Sequence, residues 1–134
     1  MTTVLIVDDY AAVRSAIRIG LERYSDFAVC GEATDGVDAI KKATTLNPDL
    51  IFLDLSMPGM SGVETAVTLK GLMPSIRIVA FSMYAELLGN SVARTTGIDA
   101  TVSKLKGIAK VVDCARNLLS ESAHYIEWPN VPDV

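Results

Sequence analysis

The chain has 134 residues, half of them hydrophobic, which is enough for one compact domain with a single core. Its 16 acidic and 12 basic residues give a net charge of −4, which argues against a nucleic-acid-binding or anionic-membrane-binding surface. No stretch approaches the ~20 apolar residues of a spanning helix, and no charged region precedes the first apolar run. We therefore expect a cytoplasmic protein whose two cysteines, Cys30 and Cys114, are reduced.

Two strand-helix units are predicted in the first half of the chain. Thr3–Val7 is an apolar strand, and Ala11–Tyr24 carries its apolar residues at the spacing of one helical stripe. Phe27–Ala33 is a second strand. The helix that follows Asp35-Gly36 is expected to stop at Asn47-Pro48, because the residue before a proline disfavours helical geometry.

Three further units are predicted in the second half. They comprise strands at Asp49–Leu53, Ile76–Phe81 and Asp99–Ser103 and helices at Gly62–Met73, Glu86–Thr96 and Gly107–Leu119. The fourth strand, IRIVAF, is so apolar that both of its faces should be buried. Five alternating units predict an α/β domain with a parallel sheet. We expect this domain to span residues 1–120 and residues 121–134 to form a tail or a linker stub.

Carboxylates follow two of the predicted strands. Asp8 and Asp9 come directly after the first strand and Asp54 after the third. Ser82 follows the fourth strand and Lys104 the fifth. Because ligands of open α/β sheets bind outside the carboxyl ends of the strands, we expect these side chains to meet along one edge.

Acids, a hydroxyl and an amine at one edge favour phosphate chemistry. Magnesium is usually held by one or two carboxylates together with phosphate and water. A third carboxylate is then available as a nucleophile that forms an acyl phosphate. Lys104 would supply an ammonium group that neutralises charge on the transferring oxygens.

With these motifs the sequence resembles the receiver domains of bacterial two-component response regulators. The resemblance covers about Val4 to Leu119 and rests on VDD, DLSMPGMSG, FS and GIDATVSK. It implies a flavodoxin-like (βα)5 three-layer sandwich with a parallel five-stranded sheet in the order 2-1-3-4-5. It also implies a signalling domain rather than an enzyme, with self-dephosphorylation as the one catalytic activity that could accompany it.

The resemblance assigns a role to each residue of the edge, with Mg²⁺ as the cofactor. By residue, these are Asp54 as phospho-acceptor, Asp9 as a direct metal ligand, Asp8 as a ligand through water, the Ser56 carbonyl as a further ligand, Ser82 as the hydroxyl that captures the phosphate, and Lys104 as its charge partner. Asp54 itself would also contact the metal. Met57-Pro58-Gly59 would shape the loop after the acceptor.

The resemblance also sets expectations about partners. A sensor histidine kinase or a phosphotransfer protein would supply the phosphoryl group. The pattern is most similar to the subfamily that usually carries a helix-turn-helix output domain, so the chain is either a stand-alone receiver or a receiver cut from a longer regulator. A homodimer could form through the face made by the fourth predicted helix, the fifth strand and the last helix. Candidate exposed apolar residues there are Met83, Tyr84, Leu87 and Leu88.

Three residues depart from the family pattern and leave signal readout open, and one of them, Met83, follows Ser82 where family members often carry a smaller residue. Thr101 stands where a Tyr or Phe usually reports phosphorylation, and Leu105 stands where a proline commonly follows the lysine. A first alternative is therefore a pseudo-receiver that binds proteins without phosphate. A remote alternative is an aspartyl-phosphate phosphohydrolase of the haloacid-dehalogenase type, which needs an acid two positions after the nucleophile, where this chain has Ser56.

Overall fold

The structure, a computed structural model, describes residues 1–57, 59–82, 96–104 and 107–120. The strands are β1 (Thr2–Val7), β2 (Phe27–Ala33), β3 (Leu50–Asp54), β4 (Arg77–Ser82) and β5 (Ala100–Ser103). The helices are α1 (Ala11–Glu22), α2 (Gly36–Leu46), α3 (Gly62–Leu72) and α4 (Ile108–Ser120). In these ranges no helix combines the length and apolar character that crossing a bilayer requires.

The strands form one parallel sheet in the order β2-β1-β3-β4-β5, which confirms the predicted topology. Each strand boundary lies within one residue of its prediction. Helix α1 ends two residues before the predicted Tyr24, because the Tyr24 amide turns back to the Leu21 carbonyl. Parallel pairing brings the carboxyl ends of all five strands to one edge of the sheet.

The core has two parts, one on each face of the sheet. On one face, α1 and α4 cover Val4, Phe52, Val79 and other residues of the central strands. On the other face, α2 and α3 cover Leu5, Ile51 and Ile78. The alternating residues of β4 are buried on both sides, as the continuous apolar run predicted.

The start of α3 is fixed against the end of β3. Ser61 caps the helix in a capping box with Glu64, in which each side chain bonds the backbone amide of the other residue. A Cβ atom added at Gly62 would lie 2.5 Å from the Leu55 Cα and 2.6 Å from the Asp54 carbonyl oxygen. Only glycine permits this close approach, so Gly62 sets how tightly α3 packs behind Asp54.

Several predictions fall outside the described residues. They concern Pro58, the apolar candidates Met83, Tyr84, Leu87 and Leu88, most of the Glu86–Thr96 helix, Leu105, and the tail at 121–134. The homodimer face involves that same helix. These predictions, with the boundary after residue 120, stay predictions.

Candidate functional site

The structure places every predicted site residue at the carboxyl edge of the sheet. Asp8 and Asp9 directly follow β1, and Asp54 is the last residue of β3. Ser82 ends β4, and Lys104 directly follows β5. The strand register pairs Ser82 with Ser103, so the fourth and fifth strands end side by side next to β3.

Lys104 joins two buried carboxylates. Its Nζ donates a hydrogen bond to Asp8 Oδ2 at 3.0 Å and lies 3.3 Å from Asp54 Oδ1. The side chains of Asp8 and Asp54 are 0% and 1% exposed. Nζ also lies 5.2 Å from the centroid of the Phe81 ring, whose face attracts a cation. One ammonium group, on a side chain that is itself 19% exposed, therefore bridges two buried carboxylates.

Asp9 completes a cluster of three carboxylates. One oxygen from each of Asp8, Asp9 and Asp54 lies within 4.8 Å of the others. Asp9 Oδ1 is buried and accepts no hydrogen bond from the described part of the chain. A buried carboxylate oxygen without a partner is energetically costly, so this atom fits the place of a ligand to a cation.

The pKa values of Asp54 and Lys104 reflect this environment. Burial raises the pKa of Asp54, and the charge of Asp8 raises it further, while the Ser56 amide and Lys104 act in the opposite direction. Burial alone would lower the pKa of Lys104. The hydrogen bond to Asp8 and the charges of Asp54 and Asp8 outweigh that effect and raise it. The site thus holds Lys104 in its charged form.

Two serine side chains meet beside Asp54. The backbone amide of Ser56 donates a hydrogen bond to Asp54 Oδ1 at 2.9 Å, which fixes one carboxylate oxygen. The hydroxyls of Ser56 and Ser82 lie 3.2 Å apart and share a hydrogen bond. This pair was not predicted from the sequence, where Ser56 was expected to contribute its carbonyl.

The sequence interpretation also missed a set of charged residues next to the acids. Arg14 Nη1 donates to the main-chain carbonyl of Asp8 at 2.8 Å, and Arg14 Nε donates to Glu32 Oε1 at 2.8 Å. Arg18 binds the other oxygen of Glu32. The signal available in the sequence was a glutamate near the end of an apolar strand together with two arginines four residues apart on a helix.

Comparison with known proteins gives a family for this arrangement. The sequence model of the response regulator receiver domain matches residues 4–116. The response regulator protein VraR of Staphylococcus saprophyticus is 39% identical over 115 residues, which cover 84% of this chain and 54% of that protein. The chain thus spans about half the length of the curated relatives it matches.

Solved structures show the same fold. The isolated receiver domain of RcsB from Salmonella enterica serovar Typhimurium, with a phosphomimetic BeF3−, has a TM-score of 0.79 at 27% identity, covering 89% of this chain and 88% of that one. A two-component response regulator of the LuxR family from Aurantimonas sp. SI85-9A1 has a TM-score of 0.84 at 26% identity, covering 98% and 92%. The chain belongs to the response regulator receiver domain family of two-component systems.

Proposed function

We propose that this domain accepts a phosphoryl group on Asp54 from a phosphohistidine of a sensor kinase or a phosphotransfer protein. One observation is the main support for the proposal. Lys104 Nζ lies within 3.0 Å of Asp8 and 3.3 Å of Asp54, two buried carboxylates at the carboxyl edge of the sheet. An ammonium held there is placed to attract a phosphoryl group and to balance its charge.

The donor set supports Mg²⁺ as the cofactor. Asp9, Asp54 and the Ser56 carbonyl would hold the ion directly, and Asp8 would hold it through water. All of these donors are oxygens, which Mg²⁺ prefers, and Asp9 Oδ1 is buried without a partner among the described residues. When bound, Mg²⁺ would neutralise negative charge on the phosphoryl oxygens and on the clustered acids.

In the proposed transfer, an Asp54 oxygen forms a bond to phosphorus as the donor's phosphorus-nitrogen bond breaks. The departing imidazole nitrogen keeps the electron pair and takes up a proton. The Ser56 amide holds Asp54 Oδ1 and so orients the attacking carboxylate. Lys104 binds the oxygens of the transferred group, and Ser82 exchanges its bond with Ser56 for a bond to a phosphoryl oxygen.

The domain would act in the cytoplasm as a signalling element rather than an enzyme, with loss of the phosphoryl group by hydrolysis as its own slow reaction. The output goes through protein contacts or through a further domain, and a homodimer would be one such contact. Thr101 is 3% exposed in β5, where the sequence pattern of the family favours an aromatic residue. Readout here would therefore depend on a buried threonine, because position 101 carries no aromatic ring that could reorient on phosphorylation.

The test is labelling with acetyl phosphate, with and without Mg²⁺, followed by intact mass spectrometry. We expect wild type to gain one phosphoryl group only with Mg²⁺ and Asp54→Asn to gain none. Asp113→Asn is the matched control, because Asp113 is exposed on α4 and outside the acidic cluster. Absence of labelling in wild type, beside a receiver of known activity that is labelled, would favour the phosphate-independent binding module.

A further inference from the structure

The main-chain carbonyl of Asp8 is held from outside the acidic cluster. It accepts a hydrogen bond from Arg14 Nη1 at 2.8 Å, and the Asp8 amide donates to the Ala33 carbonyl at 3.1 Å. The side chain is fixed as well, since Oδ1 accepts from the Tyr10 amide and Oδ2 from Lys104. Every polar atom of Asp8 thus has a defined partner.

Asp9 differs from Asp8 in what fixes it. Its Oδ1 atom is buried and has no partner among the described residues. The direction of its carboxylate therefore depends strongly on the backbone that carries it. The Asp8 carbonyl and the Asp9 amide belong to one planar peptide unit. A hydrogen bond that holds the Asp8 carbonyl therefore also fixes the plane of the Asp9 amide and the position of the Asp9 Cα atom.

Arg14 is itself held rigidly. Its side chain lies between α1 and the end of β2 and is 15% exposed. Arg14 Nε donates to Glu32 Oε1, while Arg18 donates from Nε and Nη2 to Glu32 Oε2. Lys42 of α2 donates to the Glu32 carbonyl at 2.6 Å, which anchors the same residue from the other face of the sheet.

We propose that Arg14, oriented by Glu32, is a positioning residue for the metal and phosphoryl site, because it holds the Asp8-Asp9 peptide so that Asp9 faces the acidic cluster. This inference rests on the proposed function. The guanidinium fork suits the task, since Nε and Nη1 point in fixed directions and reach a carboxylate and a carbonyl at once. A lysine at position 14 has one ammonium group and cannot reproduce both bonds with this geometry.

The test compares Arg14→Ala with Arg18→Ala. Both changes remove an arginine bond to Glu32, but only the first removes the bond to the Asp8 carbonyl. Mg²⁺ affinity is measured by isothermal titration calorimetry. Partners that orient metal ligands typically contribute 10- to 100-fold in affinity, so we expect Arg14→Ala to weaken Mg²⁺ binding by about tenfold. Arg18→Ala should stay within about twofold of wild type, and Arg14→Lys should fall between them.

A second measurement needs no metal. In the ¹⁵N-labelled, metal-free protein, Arg14→Ala should shift the amide resonances of Asp9 and Tyr10 and speed their hydrogen exchange, while Arg18→Ala leaves both near their wild-type values. Urea unfolding of each variant reports any general loss of stability.

The outcomes separate the inference from the proposed function. If wild type binds Mg²⁺ and accepts phosphate, but Arg14→Ala does so equally or Arg18→Ala fails to the same degree, the positioning role is overturned and the proposed function stands. If wild type neither binds Mg²⁺ nor accepts phosphate, the proposed function is overturned and the inference with it.

Discussion

At the scale of single residues, the main feature of the site is the balance between its buried negative charges and one ammonium group. Two carboxylates, Asp8 and Asp54, are almost fully buried, and one ammonium group compensates both. The charges of clustered acids repel one another and resist burial. Lys104 therefore stabilises the fold when no metal is bound.

The first prediction concerns removal of that ammonium. Lys104→Ala leaves two buried carboxylates without their shared cation, and we expect a loss of about 3 kcal/mol in the free energy of unfolding, at the lower end for broken buried pairs because Lys104 keeps some exposure. Urea unfolding in metal-free buffer measures it. Lys110→Ala, an exposed site on α4, is the control. Equal losses in the two variants would show that Lys104 has no special role in the folded state.

The second prediction concerns pH. Hydrogen bonds from Arg18, and then from Arg14, hold the pKa of Glu32 below its ordinary value although burial opposes them. A lowered folded-state pKa contributes stability above the unfolded pKa and loses it as pH falls through the folded value. At neutral pH, Glu32→Gln should therefore lower the free energy of unfolding by about 1 kcal/mol, a modest value for a partly exposed pair.

The difference in the free energy of unfolding between wild type and Glu32→Gln should disappear as the pH falls below the folded-state pKa of Glu32. Urea unfolding at several pH values follows it. Glu22→Gln is the control, because Glu22 is 60% exposed and its contact with Arg18, at 3.8 Å, is much longer than the 2.7 Å contact between Arg18 and Glu32. A difference that persists unchanged into acid would mean that the Glu32 charge is not what stabilises the protein.

At the scale of elements, the site depends on where strands end and helices begin. Asp54 closes β3, the Leu55 amide continues the ladder to the Phe81 carbonyl, and α3 starts at Gly62 against the Asp54 carbonyl. Leu55 and Gly62 are thus both held against the ends of neighbouring strands. The Ser56 amide and hydroxyl follow directly after Leu55 and lie beside the acceptor.

The third prediction compares two glycines of α3. A methyl group at Gly62 would meet backbone atoms at 2.5 and 2.6 Å, which a rotamer change cannot relieve, so Gly62→Ala should cost about 1 to 3 kcal/mol. A Cβ atom at Gly71 meets nothing within 4 Å, so Gly71→Ala should be neutral or should stabilise by up to about 1 kcal/mol. Thermal unfolding of both variants decides this, and a stabilising Gly62→Ala would refute the close approach.

The elements were predictable, whereas the bonds between them were less so. Apolar runs bounded by Gly, Pro and Asp placed the strands within one residue, and the signal was strongest for β3 and β4, which are buried on both faces. The acids and Lys104 were predictable because they follow strand ends. The Arg14 bond to the Asp8 carbonyl and the pairing of Ser56 with Ser82 depend on side-chain paths between distant elements, which no spacing in the sequence specifies.

At the scale of the whole molecule, the proposed cation site would link cation binding to folding. The acidic cluster joins the ends of β1 and β3, and Lys104 links it to the end of β5. A cation that binds only the folded domain stabilises it by mass action, which amounts to about 2.7 kcal/mol at a concentration of 100 times its dissociation constant.

The fourth prediction follows from this linkage. At 100 times its dissociation constant, Mg²⁺ should raise the free energy of unfolding of wild type by about 2.7 kcal/mol. Asp9→Asn should lose most of this gain, because it removes the charge of one proposed ligand. Asp113→Asn should keep the gain, since Asp113 lies on the exposed face of α4. Urea unfolding at increasing Mg²⁺ measures the three proteins. An equal gain in Asp9→Asn and wild type would place the ion elsewhere.

The central claim is that Asp54 carries the phosphoryl group. The most direct measurement is borohydride reduction of the domain after reaction with acetyl phosphate and Mg²⁺, followed by tandem mass spectrometry of its peptides. An acyl phosphate is reduced to an alcohol, so the modified position identifies the acceptor. We predict a reduced side chain at residue 54 alone, dependent on Mg²⁺. Reduction at residue 8 or 9, or at none while a control receiver is modified, would contradict the claim.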